Sequence, residues 1–479
     1  MAETFFFYDL ETSGINPRTS RIMQFAGQRT DLDLKPIGEP INILVKLTPE
    51  TVPDPYAILV TGITPQMTLA DGITEAEFVR IFLDEIATPG TIFAGFNTVR
   101  FDDEFMRYLL FRNFGDPYQW QWKDGRSRWD LLDLVRMTRA LRPDGITWPV
   151  GENGEVTNQL TKLTAVNGLD HEHAHDALND VLATIAMAQL IKDKQPLLFD
   201  YSFKHRSKEA VKQVVQSGLP FVYTSGKYPK EQLHTTVAIL LAERPDHQGA
   251  LVYDLRHDPT QFLTMTPDQL AKAWTFTKDP EVVRLPVKTL KYNRCPAVAD
   301  LAVLQKDKAS TVERLQLDLP ATTKYANQLK ADVNFTDKLF KALQLLDKSR
   351  PAYTNGTPDS QLYDNFLNEA DCKLLPQVRQ AAPEALVEYE TKLQDERLRA
   401  LLPLYKARNF PSSLTNEERA IWDEYCQHQL LDGGEKSRLA LYFAQLGDLA
   451  QNASEDKRFL LEELQLYGQA IMPVPDEAS

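Results

Sequence analysis

Through roughly the first 190 residues, short β-like runs alternate with helical patterns, and no other feature narrows the fold as far, because such alternation builds an α/β domain. Thr4-Phe-Phe-Phe-Tyr8 reads as an aromatic strand, Arg21–Arg29 and Ile41–Leu47 as two more, and Thr91–Phe96 as a buried one. The last leads directly into Asp102–Phe111, which has helical apolar spacing. His175–Lys192 is a second helix, with Ala177, Leu178, Val181, Leu182, Ile185, Ala188 and Leu190 at its apolar positions.

From about residue 196 the texture changes. Lys204-His-Arg-Ser-Lys208 is basic, and the runs Thr235–Leu241, Ala250–Leu255 and Val282–Leu290 suggest a small mixed or barrel-like domain with inserted helices. Pro351–Pro358 has the composition of a linker. Beyond it the pattern is helical, over Pro383–Leu404, Thr415–His428, Glu435–Gln451 and Ser454–Met472. Three domains are therefore expected, at 1–195, 196–350 and 351–479.

A net charge of −14 argues at first against a nucleic-acid binder, but the charge is unevenly spread. Residues 1–195 carry 18 Lys and Arg against 28 Asp and Glu, 196–350 carry 23 against 17, and 351–479 carry 12 against 22. The middle third is basic between two acidic ones. Forty-three per cent hydrophobic residues exclude wholesale disorder. No apolar run reaches the ~18 residues that cross a bilayer, and Met1-Ala-Glu-Thr lacks the regions of a signal peptide, so a cytoplasmic protein with no membrane partner is expected. Cys295, Cys372 and Cys426 are too scattered for a disulfide framework or a thiolate metal site.

Three short stretches carry chemistry. Asp9 and Glu11 stand two apart at the end of the aromatic strand, so both carboxylates project from one face. Asn97-Thr-Val-Arg-Phe-Asp102 lies where a buried strand gives way to a helix, and either Asp102 or Asp103 there is equally a helix cap. His175-Asp-Ala-Leu-Asn-Asp180 opens the next helix and leaves two aspartates, Asp176 and Asp180, as candidates. Four oxygen donors and one histidine on three element ends suit hard cations, Mg²⁺ or Mn²⁺, rather than zinc. Two such ions about 4 Å apart would clamp the attacking and leaving oxygens of a phosphodiester displacement, with the histidine taking the proton from water.

Phe-Tyr-Asp9-Leu-Glu11-Thr, Asn97–Asp102 and His175–Asp180, in this order, resemble the three motifs of the DEDDh exonucleases, a superfamily of ribonuclease H-like fold. Within it the chain resembles the bacterial exonuclease I family along nearly its whole length. The further matching stretches are Leu59-Val-Thr-Gly-Ile-Thr-Pro65, Ser127–Asp133, Leu141–Ile146, Pro286-Val-Lys, Asn293-Arg-Cys-Pro296, Gln361-Leu-Tyr and Tyr405–Pro411. The resemblance implies an α/β ribonuclease H-like exonuclease domain (1–195), a small SH3-like β-barrel-containing domain that holds DNA (196–350) and an all-α C-terminal domain (351–479). It implies that Asp9, Glu11, Asp102 and Asp180 hold two Mg²⁺ ions, with Mn²⁺ able to substitute, and that His175 is the general base. It selects Asp102 over Asp103 and Asp180 over Asp176.

The implied activity is processive 3'-to-5' digestion of single-stranded DNA to 5'-mononucleotides by a monomer, in DNA repair and recombination. The implied partner is the acidic C-terminal tail of the single-stranded DNA-binding protein. One departure stands out: Gln159 occupies a place where the family can carry an arginine that touches substrate, as Glu11 is also implied to do.

Arg107, Arg112, Trp120, Trp122, Arg126, Arg128, Trp129, Arg136 and Arg139 crowd the stretch between the second and third motifs. Arginines on phosphates and rings on unpaired bases would make a single-strand groove, with Arg107, Arg128 and Arg136 as its first candidates. The same tryptophans would serve equally as core. Two other functions fit the motifs less well. An RNA exonuclease of the oligoribonuclease type commonly lacks accessory domains of this size, and a catalytically idle single-strand clamp would not need all five catalytic side chains.

Overall fold

The computed structural model describes residues 3–169, 176–246, 249–275, 283–305, 308–349 and 356–473. The chain forms two compact units. The first contains Met1–Ser127, Asn355–Ser479 and, among the described residues, 176–182; the second contains Arg128–Asp170 and Ala183–Thr354.

The first unit is organised by strand β1, Thr4–Thr12. Its Phe5, Phe6, Phe7 and Tyr8 are all at most 2% exposed, which only an inner strand covered on both faces can provide. β2 (Ile22–Thr30) pairs with it antiparallel on one side, and β3 (Ile41–Leu44) pairs antiparallel with β2. β4 (Thr91–Gly95) pairs with β1 in parallel on the other side, with Phe6 beside Phe93. β5 (Ser127–Asp130) completes the order β3-β2-β1-β4-β5, and the chain passes from the first unit into the second within it. Side-chain alternation sends Phe6, Tyr8 and Leu10 into a core with Phe25, Phe78, Phe82, Phe93 and Trp120. Phe5, Phe7, Asp9 and Glu11 point to the opposite face, where the Phe5 and Phe7 rings lie 5.5 Å apart.

The strand-to-helix turn after β4 is tight. A Cβ on Gly95 would lie 2.7 Å from the Tyr8 carbonyl oxygen and 2.2 Å from Thr98 Cγ2, so only glycine lets β4 lie this close to β1. Asn97 then takes a φ of +72°, and the helix Asp102–Arg112 begins.

The C-terminal helices of this unit pack around the same half of the chain. Arg408, on the helix Glu396–Asn409, donates to Glu50 Oε1 at 2.8 Å and to both Asp359 oxygens at 2.8 and 2.7 Å. Arg21, just before β2, donates to Asp359 at 3.0 Å. All four side chains are buried. Burial alone would raise the Asp359 pKa, but Arg408 and Arg21 outweigh it and hold the carboxyl well below the usual carboxylate range.

In the second unit, β6 (Phe221–Thr224), β7 (Thr235–Glu243), β8 (Ala250–Asp254), β9 (Val287–Leu290) and β10 (Ala297–Asp300) form an antiparallel sheet in the order β10-β6-β7-β8-β9. One face packs Val222, Val237, Ile239, Leu251 and Tyr253 with Leu270, Phe335 and Leu339. The other packs Phe221, Tyr223, Ala238, Val252 and Leu290 with Val211, Val214 and Val215. This is the barrel-like middle segment expected from the sequence, with two differences. Its third expected strand starts only at Val287, and the four-residue β6 and β10 carry no run long enough to be read.

The last third is helical, as expected, but Pro383–Leu404 is not one helix. A 3₁₀ segment covers Pro383–Tyr389, and a new helix starts at Glu396 because Asp395 caps it, its carboxylate accepting from Arg397 N–H at 2.9 Å. The helix Glu369–Gln380 was not anticipated. Most of the expected linker at Pro351–Pro358 lies outside the described residues.

Candidate active site

Asp9 and Glu11 reach the sheet surface on the polar end of β1, and Asp180 faces them from the first turns of the helix Ala177–Lys194. One oxygen from each of these three carboxylates lies within 4.8 Å of the other two. All three side chains are half-buried, so water screens their mutual repulsion poorly.

The electrostatics record this crowding. Burial, then the charge of Asp180, pushes the Asp9 carboxyl well above its ordinary range. Glu11 is pushed up to about 9 by burial, then by Asp9, Asp180 and Asp176. Asp102 is 3% exposed and accepts from the Leu10 backbone N–H at 3.1 Å, which ties the second motif to β1. Its pKa is also raised, first by burial and then by Asp9, with its own backbone hydrogen bond opposing. Asp102 stands beside the three-carboxylate group rather than within it.

The neighbouring candidates separate clearly. Asp103 is buried on the core side, where it accepts the Tyr8 hydroxyl at 2.5 Å. Asp176 accepts from Gln24 Nε2 at 2.9 Å, and the Gln24 carbonyl takes the Ala177 N–H at 3.3 Å. The structure thus groups Asp180, not Asp176, with Asp9 and Glu11. His175 lies outside the described residues. Sequence reasoning missed Gln24; a polar residue inside the apolar run Ile22-Met-Gln-Phe-Ala26 was the available signal.

A cleft of about 480 Å³ opens on the Asp176 side, lined by Gln24, Asn42, Leu44, Ile63, Met67 and Asp176 among others. Thr61, Gly62 and Ile63 bring to it the Leu59–Pro65 stretch singled out in the sequence.

The arginine and aromatic candidates fare unevenly. Trp120 and Trp129 are core residues, 1% and 2% exposed, and Arg112 is buried against Glu75. Trp122 is 63% exposed. Arg107 is buried, donating to Glu104 and Gln121 at 2.8 Å each and to the Tyr363 hydroxyl at 3.2 Å. Within the second unit, Arg128 donates to the Asn293 carbonyl at 2.6 Å. Arg136 bonds Asp133 at 2.7 Å and lies against Gly226, where any Cβ would come within about 3 Å of the guanidinium. Gln159 is exposed and immediately precedes the helix Leu160–Val166.

An all-oxygen donor set of three partly dehydrated carboxylates fits a hard divalent cation. A mixed sheet whose inner strand carries two of those carboxylates is the arrangement of a ribonuclease H-like fold.

Comparison with known proteins narrows the class. Residues 6–188 match the Exonuclease family model, 206–344 the Exonuclease I SH3-like domain and 356–471 the Exonuclease I C-terminal domain. The chain is 39% identical to Exodeoxyribonuclease I of Haemophilus influenzae over 475 residues, covering 97% of this chain and 98% of that protein. It is 35% identical to the Escherichia coli Exodeoxyribonuclease I over 480 residues, covering 98% of each. The crystal structure of E. coli Exonuclease I with a dA16 oligonucleotide superposes with a TM-score of 0.92 at 34% identity, covering 98% of this chain and 100% of that one. The zinc-bound E. coli complex with single-stranded DNA gives 0.91 at 35%, and the SSB/Exonuclease I structure with the inhibitor CFAM gives 0.88 at 34%, with the same coverage. The chain belongs to the exonuclease I family.

Proposed function

We propose that this protein is a divalent-metal-dependent exonuclease that shortens single-stranded DNA from its 3' end and releases 5'-mononucleotides. The observation that carries the reading is the convergence of Asp9, Glu11 and Asp180 within 4.8 Å on a rigid strand and a helix start. Membership of a family whose E. coli relative is crystallised on DNA oligonucleotides supports the substrate.

In this reading Asp9, Glu11, Asp102 and Asp180 hold two Mg²⁺ ions, and His175 is the general base. When bound, the cations offset charge at the scissile phosphate and acidify water. The chain's own part is geometric. β1 is fixed on both faces by buried aromatics, so the two carboxylates it carries are pre-placed. The Leu10 N–H orients Asp102, and Gln24 fixes the start of the helix that bears Asp180. The pKa of an ordinary imidazole, near neutrality, suits His175 to accept the proton of the attacking water. At about 480 Å³, the neighbouring cleft has room for the nucleotide to be removed.

The same reading assigns 1–195 to the exonuclease domain, 196–350 to the SH3-like domain that holds the strand and 351–479 to the helical C-terminal domain. Arg107, Arg128, Arg136 and Gln159 contact the DNA, with Arg107 exchanging its present partners to do so. The partner is the single-stranded DNA-binding protein, as in the SSB/Exonuclease I structure. The test compares matched DNA and RNA single strands with the parent protein and with Asp9→Ala. Digestion of DNA by the parent alone supports the reading; preference for RNA, or full turnover by Asp9→Ala, overturns it.

A further inference from the structure

We infer that Gln24 is a positioning residue for the metal-binding carboxylates, acting through Asp176 rather than on the metal itself. The inference rests on the reading of Asp9, Glu11 and Asp180 as metal ligands. Gln24 sits on β2 directly opposite Glu11 in the antiparallel register, so the two side chains share a face of the sheet. It is 6% exposed, and both its amide nitrogen and its oxygen are engaged. Nε2 donates to Asn42 Oδ1 and to Asp176 Oδ1, both at 2.9 Å, and Oε1 accepts the Ala177 N–H at 3.3 Å.

Each of these bonds has a consequence one turn further on. Ala177 opens the helix, where the first amides have no acceptor within the helix, and Gln24 accepts its N–H. The Asp180 N–H in turn bonds the Asp176 carbonyl at 3.1 Å, so the residue gripped by Gln24 begins the turn that presents the Asp180 carboxylate. Gln24 therefore couples the height of Asp180 over the sheet to the strand beside Glu11.

The second effect is electrostatic. Without the Gln24 donor, which meets it at 2.9 Å, the Asp176 carboxylate would be a further negative charge turned loose beside the group. The Gln24 amide meets that charge with a donor while adding none of its own. An amide is needed because one end must donate to Asp176 and the other must accept from the helix. Glutamate would repel Asp176, and methionine would leave both partners unmet. The residue therefore shapes metal affinity without being a ligand.

The test measures Mn²⁺ binding to the full chain by electron paramagnetic resonance without DNA, alongside digestion of single-stranded DNA across a Mg²⁺ titration. Gln24→Met and Gln24→Glu are each expected to weaken Mn²⁺ binding about 10-fold or more, and to raise the Mg²⁺ concentration for half-maximal rate while saturating Mg²⁺ restores kcat toward the parent value. The exchange Gln24→Glu with Asp176→Asn reverses the polarity of the bond at constant charge. The new amide at the helix start then donates to the new carboxylate on β2, whose oxygens also leave the Ala177 N–H an acceptor. This exchange is expected to recover most of the affinity that Gln24→Glu alone loses. Thermal unfolding in EDTA identifies a variant that fails to fold, and if Gln24→Met does so the comparison of the exchange with Gln24→Glu decides. Parent-like Mn²⁺ affinity in a folded Gln24→Met, or an exchange no better than Gln24→Glu, overturns the inference. A parent protein that neither binds Mn²⁺ nor digests DNA overturns the reading on which it rests.

Discussion

At the scale of single residues, the site is a balance between crowded negative charge and the cation that relieves it. Glu11, pushed up to about 9, stabilises the fold in its neutral form. That contribution is fully present below its ordinary 4.5 and is lost as pH rises toward 9, so the protein in EDTA becomes less stable across that range. Metal uptake must displace those protons, and calorimetry in two buffers of different ionisation enthalpy is expected to register net proton release at pH 7. Uptake with no proton release would contradict the raised pKa values. Replacing Asp9 by alanine removes one of the proposed ligands on a strand held elsewhere by Phe5–Tyr8. It should lower the rate at least about 100-fold with little change in thermal stability. Asp9 and Glu11 were legible from their spacing along a strand, whereas spacing at the two helix starts left Asp102 beside Asp103 and Asp180 beside Asp176, and only the family resemblance chose between them. Gln24 shows locally only as a polar residue in an apolar run, and its role comes from the cross-strand register with Glu11, which pairing sets.

Among elements, the most constrained junction is the one where β4 turns into the helix that starts at Asp102. Gly95 packs against the Tyr8 carbonyl, so Gly95→Ala forces β4 away from β1 and is expected to cost about 1–3 kcal/mol in a denaturant titration. It should also lower activity, because Asp102 is hung from Leu10 on that same strand. Wild-type stability and activity in this variant would show that the junction tolerates a shift. β1 and the helices at Asp102 and Ala177 were readable because long aromatic or apolar periodicity marks them. β6 and β10 are four residues each and owe their form to pairing partners distant in sequence, so nothing local reveals them. The break before Glu396 hinges on one cap, Asp395, inside a stretch with uninterrupted helical propensity.

For the whole molecule, charge distribution matters more than the net −14. Part of the acidity is gathered at the cation site, and the basic excess lies in 196–350, so attraction to DNA should be weak outside a confined groove and sensitive to salt. Within the first unit, the buried Arg21–Glu50–Asp359–Arg408 cluster fastens the C-terminal segment to the strand-bearing one, and removing a single partner leaves an uncompensated charge. Asp359→Ala is expected to cost about 3–5 kcal/mol in equilibrium unfolding. Because the Asp359 pKa is depressed on folding, the cluster's contribution is present above pH 3.8 and lost as pH falls below it, a dependence this variant should lack. This clamp was illegible beforehand, since its members are as far apart in the chain as Arg21 and Arg408. The domain order, by contrast, followed from texture and motif. The central claim, metal-dependent removal of nucleotides from a 3' end, is tested most directly by one gel time course on single-stranded DNA labelled at either terminus, with Mg²⁺ and with EDTA. The account predicts immediate release of the 3' label as mononucleotide, progressive shortening of the 5'-labelled strand and no reaction in EDTA. Early release of the 5' label, or digestion that persists in EDTA, would contradict it.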